Sequence, residues 1–340
     1  MPDLATPAGW LPLAFMAVMG LAILAYVILD GFDLGVGILF PAAPKEAHDR
    51  MIGAIGPFWD ANETWLVLGI GVLLVAFPKA HGEILGALYL PVAIMLGGLI
   101  LRGVAFDFRA KAGSDQRALW DRAFFFGSLL AALAQGWMLG RFVAGFASEP
   151  LAYLFAALIA LALTGTYVLL GATWLIVKTE GALQQDAVRW AKAGFWWMLI
   201  GILAISATTP LISERIFARW FSLPYLVLLA PIPFTTGLLF FILWRSLKRL
   251  PKRLSEGNEY GAWVPFAATI GILFLAFYGL AYSLFPYVII DRMTIWEAAA
   301  APESLFIVFV GALVVLPMII AYTAFVYRIF RGKAEPLSYS

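Results

Sequence analysis

Carboxylates set three residues apart in apolar surroundings are the first groups to account for. In Leu29-Asp30-Gly31-Phe32-Asp33-Leu34-Gly35-Val36-Gly37, Asp30 and Asp33 would share one face of a helix. Asp60 and Glu63 repeat that spacing in Trp59-Asp60-Ala61-Asn62-Glu63-Thr64-Trp65. Carboxylates poised by burial can take up protons and pass them on. They can equally close helix ends or pair with a cation, because structural ion pairs perturb titration as strongly as catalytic ones. The residues alone leave both readings open. Asp60 also suits a helix N-cap, where its carboxylate would meet orphan backbone donors and the positive end of the macrodipole. Glu63 stands where helix burial should begin, and Asn62 beside it makes a polar inlet on an otherwise apolar helix.

Arg102 closes another apolar stretch and is followed by Gly103-Val104-Ala105-Phe106-Asp107-Phe108-Arg109. A guanidinium cannot shed its charge, so Arg102 needs a carboxylate, with Asp107 a candidate partner, or access to headgroups. Asp30, Asp33, Asp60, Glu63 and Asp107 are all expected at one membrane depth, which favours a shared polar network. Gly31, Gly35 and Gly37 would let a second helix approach closely. They do not form a nucleotide loop, since they follow an apolar helix instead of a strand and lack the phosphate-binding lysine. Metal chemistry has little to work with. His48 and His81 are the only histidines, expected in loops on opposite sides of the membrane, and neither has a second ligand at helical spacing. Bis-histidine haem ligation within this chain is therefore not expected. Met16, Met19 and Met95 read as core fillers. With no cysteine there is no disulfide, thiolate cluster or thiol nucleophile.

The elements that must position these groups are membrane spans. Hydrophobic residues make up 63% of the 340 and charged residues 13%, against about 45–50% and about 25% in soluble domains. Nine stretches meet the roughly 18-residue length of a transmembrane helix or approach it: Trp10–Asp30, Glu63–Phe77, Ile84–Val104, Phe124–Phe146, Leu151–Val177, Phe195–Ile212, Pro224–Trp244, Gly261–Pro286 and Leu305–Tyr327. The second is short unless Trp59 to Asn62 belong to it. The predicted fold is an all-α polytopic membrane protein, one transmembrane domain over 1–340, with nine helices arranged as two four-helix bundles and one peripheral helix.

Most of the 23 Lys and Arg fall on one side if the N-terminus is outside. The opposite side then receives only Lys79, Arg141, Arg215, Arg219 and Arg292, so the positive-inside rule predicts N-terminus out and C-terminus cytoplasmic. Trp10, Trp59, Trp120, Trp190, Trp244 and Trp263 lie near span ends, as an interfacial belt would. The basic run from Arg245 to Arg253 anchors a helix end at anionic headgroups. Met1 to Gly9 lack Lys and Arg, and no small-residue cleavage site follows, so the first span reads as retained. A net charge of +2 says little about partners, and no nucleic-acid partner is expected.

Several motifs occur together and in order: LDGFDLGVG, WDANETW, RGVAFDFRAK, GATWLIVKTEG, GLAYSLFPY and YTAFVYRIFRGK. In this combination the chain, from about Leu29 to Lys333, resembles subunit II of the cytochrome bd-type quinol oxidases. RGVAFDFR, standing where other members carry an Arg-Pro-Val-Gly-Phe-Asp-Tyr-Arg pattern, is similar to the cyanide-insensitive branch. Ala61 replaces a glycine that the family often has after the Trp-Asp pair, which bears on backbone packing there and not on Asp60.

The resemblance implies a chain paired with a haem-bearing subunit I, which holds two haems b and a haem d or third haem b, with room for a small single-helix accessory subunit. Such a pair, in the bacterial inner membrane amid lipid and quinone, oxidises quinol and reduces dioxygen to water. It generates a proton motive force without pumping. On that reading Asp60, Glu63, Asp30 and Asp33 contribute to a cytoplasmic proton path or to the subunit interface, and Trp65 lines an oxygen route or simply packs between helices. Two other classes remain: a proton-coupled secondary transporter, whose inverted repeats and midplane broken helices are not evident here, and a pure scaffold for subunit I.

Overall fold

A computed structural model describes residues 3–335; Met1 and Pro2, part of the Lys- and Arg-free leading stretch, lie outside the described residues. Among these, nine helices are long and apolar enough to cross a membrane. In chain order the helices are α1 (Pro7–Leu39), α2 (His48–Ile55), α3 (Trp59–Ala76), α4 (Pro78–Lys111), α5 (Ser114–Val143), α6 (Pro150–Lys178), α7 (Gly181–Ile212), α8 (Glu214–Phe221), α9 (Tyr225–Leu229), α10 (Pro231–Ser255) and α11 (Val264–Leu284). A two-stranded hairpin follows, β1 (Tyr287–Ile289) and β2 (Met293–Thr294), then α12 (Ile295–Ala298) and α13 (Pro302–Ile329).

The helices outrun the apolar stretches that announce them. α3 begins at Trp59, so the Trp59 to Asn62 segment completes the short second span. α4 starts at Pro78 instead of Ile84 and runs to Lys111. α7 starts at Gly181, well before Phe195, through Gln184, Gln185, Arg189 and Lys192, which are good helix formers without being apolar. This corrects two expectations: His81 lies within α4, not in a loop, and His48 opens the short helix α2 and is buried.

The described chain divides into two compact units. One comprises residues 3–30, 57–89 and 284–332; the other comprises residues 31–56, 90–283 and 333–335. In the second unit α6 is the most enclosed helix, and small residues make the close approaches that hold helices together where lipid offers no hydrophobic drive. A β-carbon on Gly140 would lie 2.4 Å from the Cα of Ala156, and one on Gly136 would lie 2.5 Å from the Cα of Ala160, so α5 and α6 touch along their backbones. In the first unit the backbone N–H of Ala300 donates to the carbonyl of Ala76 at 2.9 Å. α12 there opens with a capping box in which the backbone N–H and hydroxyl of Thr294 donate to Glu297, each at 2.8 Å. Those two bonds, the backbone one foremost, hold the Glu297 carboxyl below its ordinary range.

Candidate functional site

The glycines after Asp30 make the contact their spacing suggested. A β-carbon at Gly35 would fall 1.8 Å from the Tyr167 carbonyl oxygen, and one at Gly171 would fall 2.4 Å from the Gly35 carbonyl carbon, so α1 and α6 meet backbone to backbone. Gly31 faces the Tyr167 ring and Gly37 the Ser128 hydroxyl. Tyr167 is itself fully buried and donates from its hydroxyl to the Gln135 side-chain oxygen at 2.7 Å. Asp30 and Asp33, carried on the same helix, are fully buried. Carboxylates at that depth are costly unless their charge is balanced or a proton is held there, which makes them functional candidates.

The WDANETW segment is divided by depth. Asp60 is exposed, Glu63 is half-buried and Asn62 is fully buried. Phe58, not Asp60, takes the N-cap position of α3, and Asp60 lies inside the first turn, where a negative charge still favours the macrodipole. Asn62 ties three helices of the first unit together. Its amide donates to the Leu29 carbonyl at 3.3 Å, and its oxygen accepts from the Tyr327 hydroxyl at 3.0 Å, with the Tyr327 ring 4.5 Å from that of Phe58. Trp65 is buried against Ala22 and Tyr26.

On α4, Arg102 is buried at 1% exposure. Asp107 is exposed, and five residues along a helix turn it about 140° away from Arg102. Further along this helix, Arg109 holds two carboxylates. Its Nε donates to Asp121 and an Nη to Asp49, both at 2.5 Å, while Arg117 reaches Asp49 at 3.6 Å. His48 completes the cluster: Nδ1 lies 2.8 Å from an Asp121 oxygen and Nε2 lies 3.1 Å from the Phe40 carbonyl. Sequence reasoning missed this cluster. Arg109 read as one more topological charge, and its partners stand on two other helices with no spacing to reveal them.

The GATWLIVKTEG motif closes α6 within the second unit. Trp174 stacks on Phe32 with centroids 4.3 Å apart and donates its indole N–H to the Ala54 carbonyl at 2.9 Å. Lys178 sits 5.4 Å above the Trp174 ring. The chain after α13 returns here, with Lys333 donating to the Thr179 carbonyl at 3.0 Å and pairing with Glu259 at 2.8 Å.

Residues 11–330, which contain nearly all of these motifs, match the family described as cytochrome bd terminal oxidase subunit II. The chain belongs to that family. It is 28% identical to cytochrome bd ubiquinol oxidase subunit 2 of Bacillus subtilis over 338 residues, covering 92% of this chain and 95% of that one. It is 27% identical to cytochrome bd-I ubiquinol oxidase subunit 2 of Escherichia coli K12, covering 93% of each. One chain of the solved bd oxidase from Geobacillus thermodenitrificans shares the fold, with a TM-score of 0.71 at 19% identity over 94% of this chain and 98% of that one.

As a cytochrome bd subunit II, the chain is a multi-pass protein of the bacterial inner membrane and part of an oxidase complex whose family implies haem, quinol and a subunit I. Its two histidines do not make a bis-imidazole haem site. Both ring nitrogens of His48 face acceptors in the Arg109 cluster, which leaves His81 as the only other histidine in the sequence, and an axial pair needs two free imidazole nitrogens or a comparable donor. No group of three or more His, Asp or Glu residues that could hold a metal ion is found among the described residues.

Proposed function

We propose that this chain serves a quinol:oxygen oxidoreductase as the subunit that stabilises a haem-bearing subunit I and feeds protons toward it from the cytoplasm. Quinol supplies electrons, dioxygen is reduced to water, and charge separation without pumping produces the proton motive force. The two haems b and the haem d or third haem b belong to subunit I, and a small single-helix subunit completes the assembly. The chain acts as one transmembrane domain with its N-terminus outside and its C-terminus cytoplasmic, in keeping with the positive-inside rule.

The observation that carries the proton role is the gradation of carboxylates. Asp60 is exposed, Glu63 half-buried, and Asp30 and Asp33 are fully buried, a series from which protons can enter and be held where a bare charge is expensive. Arg102 is buried as well, and Trp65 lines an apolar path for dioxygen.

Asp60→Asn tests the relay, because asparagine keeps the side chain's size and hydrogen bonding but cannot titrate. The assembled complex should keep its haem content and consume oxygen slower by about an order of magnitude or more, with part of the rate restored by Asp60→Glu. Wild-type turnover in a fully assembled Asn variant removes Asp60 from the path.

A further inference from the structure

We infer that α8 and the turn after it form a binding site for the phosphate of an anionic phospholipid headgroup. α8 was not anticipated from the sequence, which left 213–223 as a connection. It is short and strongly two-sided. Ser213 closes its start by accepting from the Ile216 backbone N–H at 3.4 Å, and Ile216 is fully buried.

Helical spacing sorts the remaining side chains. Ala218 and Arg219 stand three and four residues after Arg215, Ser222 stands four and three after them, and with Tyr225 these residues line a single open depression. Phe217 and Phe221, one turn apart, lie on another face with ring centroids 5.0 Å apart and are 53% and 58% exposed. Leu223 beyond them is 74% exposed. Two guanidiniums and two hydroxyls therefore sit beside a row of exposed apolar side chains.

The Arg219 guanidinium is fixed in place. One Nη donates to the Tyr282 carbonyl at 3.0 Å, and the group lies 5.2 Å from the Tyr282 ring and 5.8 Å from the Tyr225 ring. Next to it, Trp220 donates its indole N–H to the Ser283 hydroxyl at 2.7 Å, anchoring the helix from its inner side. Glu214 is the only acidic side chain between Ser213 and Ala230, so the segment is net positive. Arginine stays charged and its planar fork matches phosphate oxygens.

A free anion would be served by the arginines alone. The exposed Phe217, Phe221 and Leu223 add what a lipid brings besides phosphate, namely acyl chains to cover them, and that is how an amphipathic helix lies in the headgroup plane. These arginines are also among the few cations on the side opposite the main basic segments, so topology does not by itself require them there.

The test uses the whole oxidase complex, delipidated in mild detergent and titrated with phosphatidylglycerol or phosphatidylcholine under native mass spectrometry. The wild-type complex should bind phosphatidylglycerol in preference to phosphatidylcholine. Loss of each arginine should weaken that binding about fivefold, so Arg215→Gln weakens it about fivefold and Arg215→Gln/Arg219→Gln about twenty-fivefold, with phosphatidylcholine unaffected. Arg215→Lys should retain most of it. If the double variant fails to assemble because Arg219 also holds Tyr282, Arg215→Gln alone decides. Wild-type phosphatidylglycerol retention in an assembled Arg215→Gln complex overturns the site. Equal binding of the two lipids by the wild type does the same, and so does displacement of phosphatidylglycerol by inorganic phosphate at equal concentration.

Discussion

Two polar clusters, one in each unit, hold their helices by different means. Around Asn62 the contacts are neutral: an amide to the Leu29 carbonyl and a tyrosine hydroxyl to the amide oxygen. Around Arg109 they are ionic, with a guanidinium at 7% exposure between Asp121 and Asp49 and a histidine between Asp121 and a carbonyl. A neutral hub loses one hydrogen bond when a member is removed, whereas an ionic one is left with a buried charge that nothing balances. Fold support and tolerance to change therefore part company within one chain.

Arg109→Leu is expected to do the most damage. It takes from Asp121, which is only 15% exposed, its guanidinium and leaves it the imidazole of His48, at a cost of up to about 3–5 kcal/mol, and the complex should fail to accumulate in membranes by immunoblot and haem absorbance. Gly35→Ala comes next. Its new β-carbon would meet the Tyr167 carbonyl oxygen at 1.8 Å, and forcing α1 from α6 should cost at least about 1–3 kcal/mol, read as a lower melting temperature of the complex. Gly86→Ala, which meets nothing within 4 Å, is the matched control and should be silent. Tyr327→Phe should have the smallest effect of the three, about 0.5–1.5 kcal/mol for the bond to Asn62. Thermal unfolding would refute the contrast between hubs if Tyr327→Phe proved as harmful as Arg109→Leu.

What could be read in advance follows from how local the signal is. The nine spans were legible because a run of apolar residues is itself the feature that lipid selects. Their ends were not, since Gly181 to Lys192 and Phe106 to Lys111 continue as helix through polar residues that a hydropathy criterion ends on. The close approach at Gly31, Gly35 and Gly37 was legible because a missing side chain matters to any neighbour; that the neighbour would be Tyr167 was not. The burial of Asp30, Asp33 and Arg102 followed from their place in apolar sequence, while the exposure of Asp60 and Asp107 depended on which way each helix turned. His48 stayed hidden longest, because Asp121 lies 73 residues away and neither residue carries a mark of the other. α8 escaped for the opposite reason: eight residues are too few for periodicity to stand out against a connection.

The return of the chain to α6 has a bearing on biosynthesis. The carbonyl of Lys178 receives the N–H of Ala334, and that of Thr179 receives Lys333 from 154 residues further on. While the ribosome is still threading α7 to α13 into the bilayer, the end of α6 at Lys178 has nothing in this place. Only after the last span has been inserted does its trailing segment close over it. The closure of α6 is thus the last of these contacts to be synthesised: until Lys333 and Ala334 have been made, the carbonyls of Thr179 and Lys178 lack these two donors.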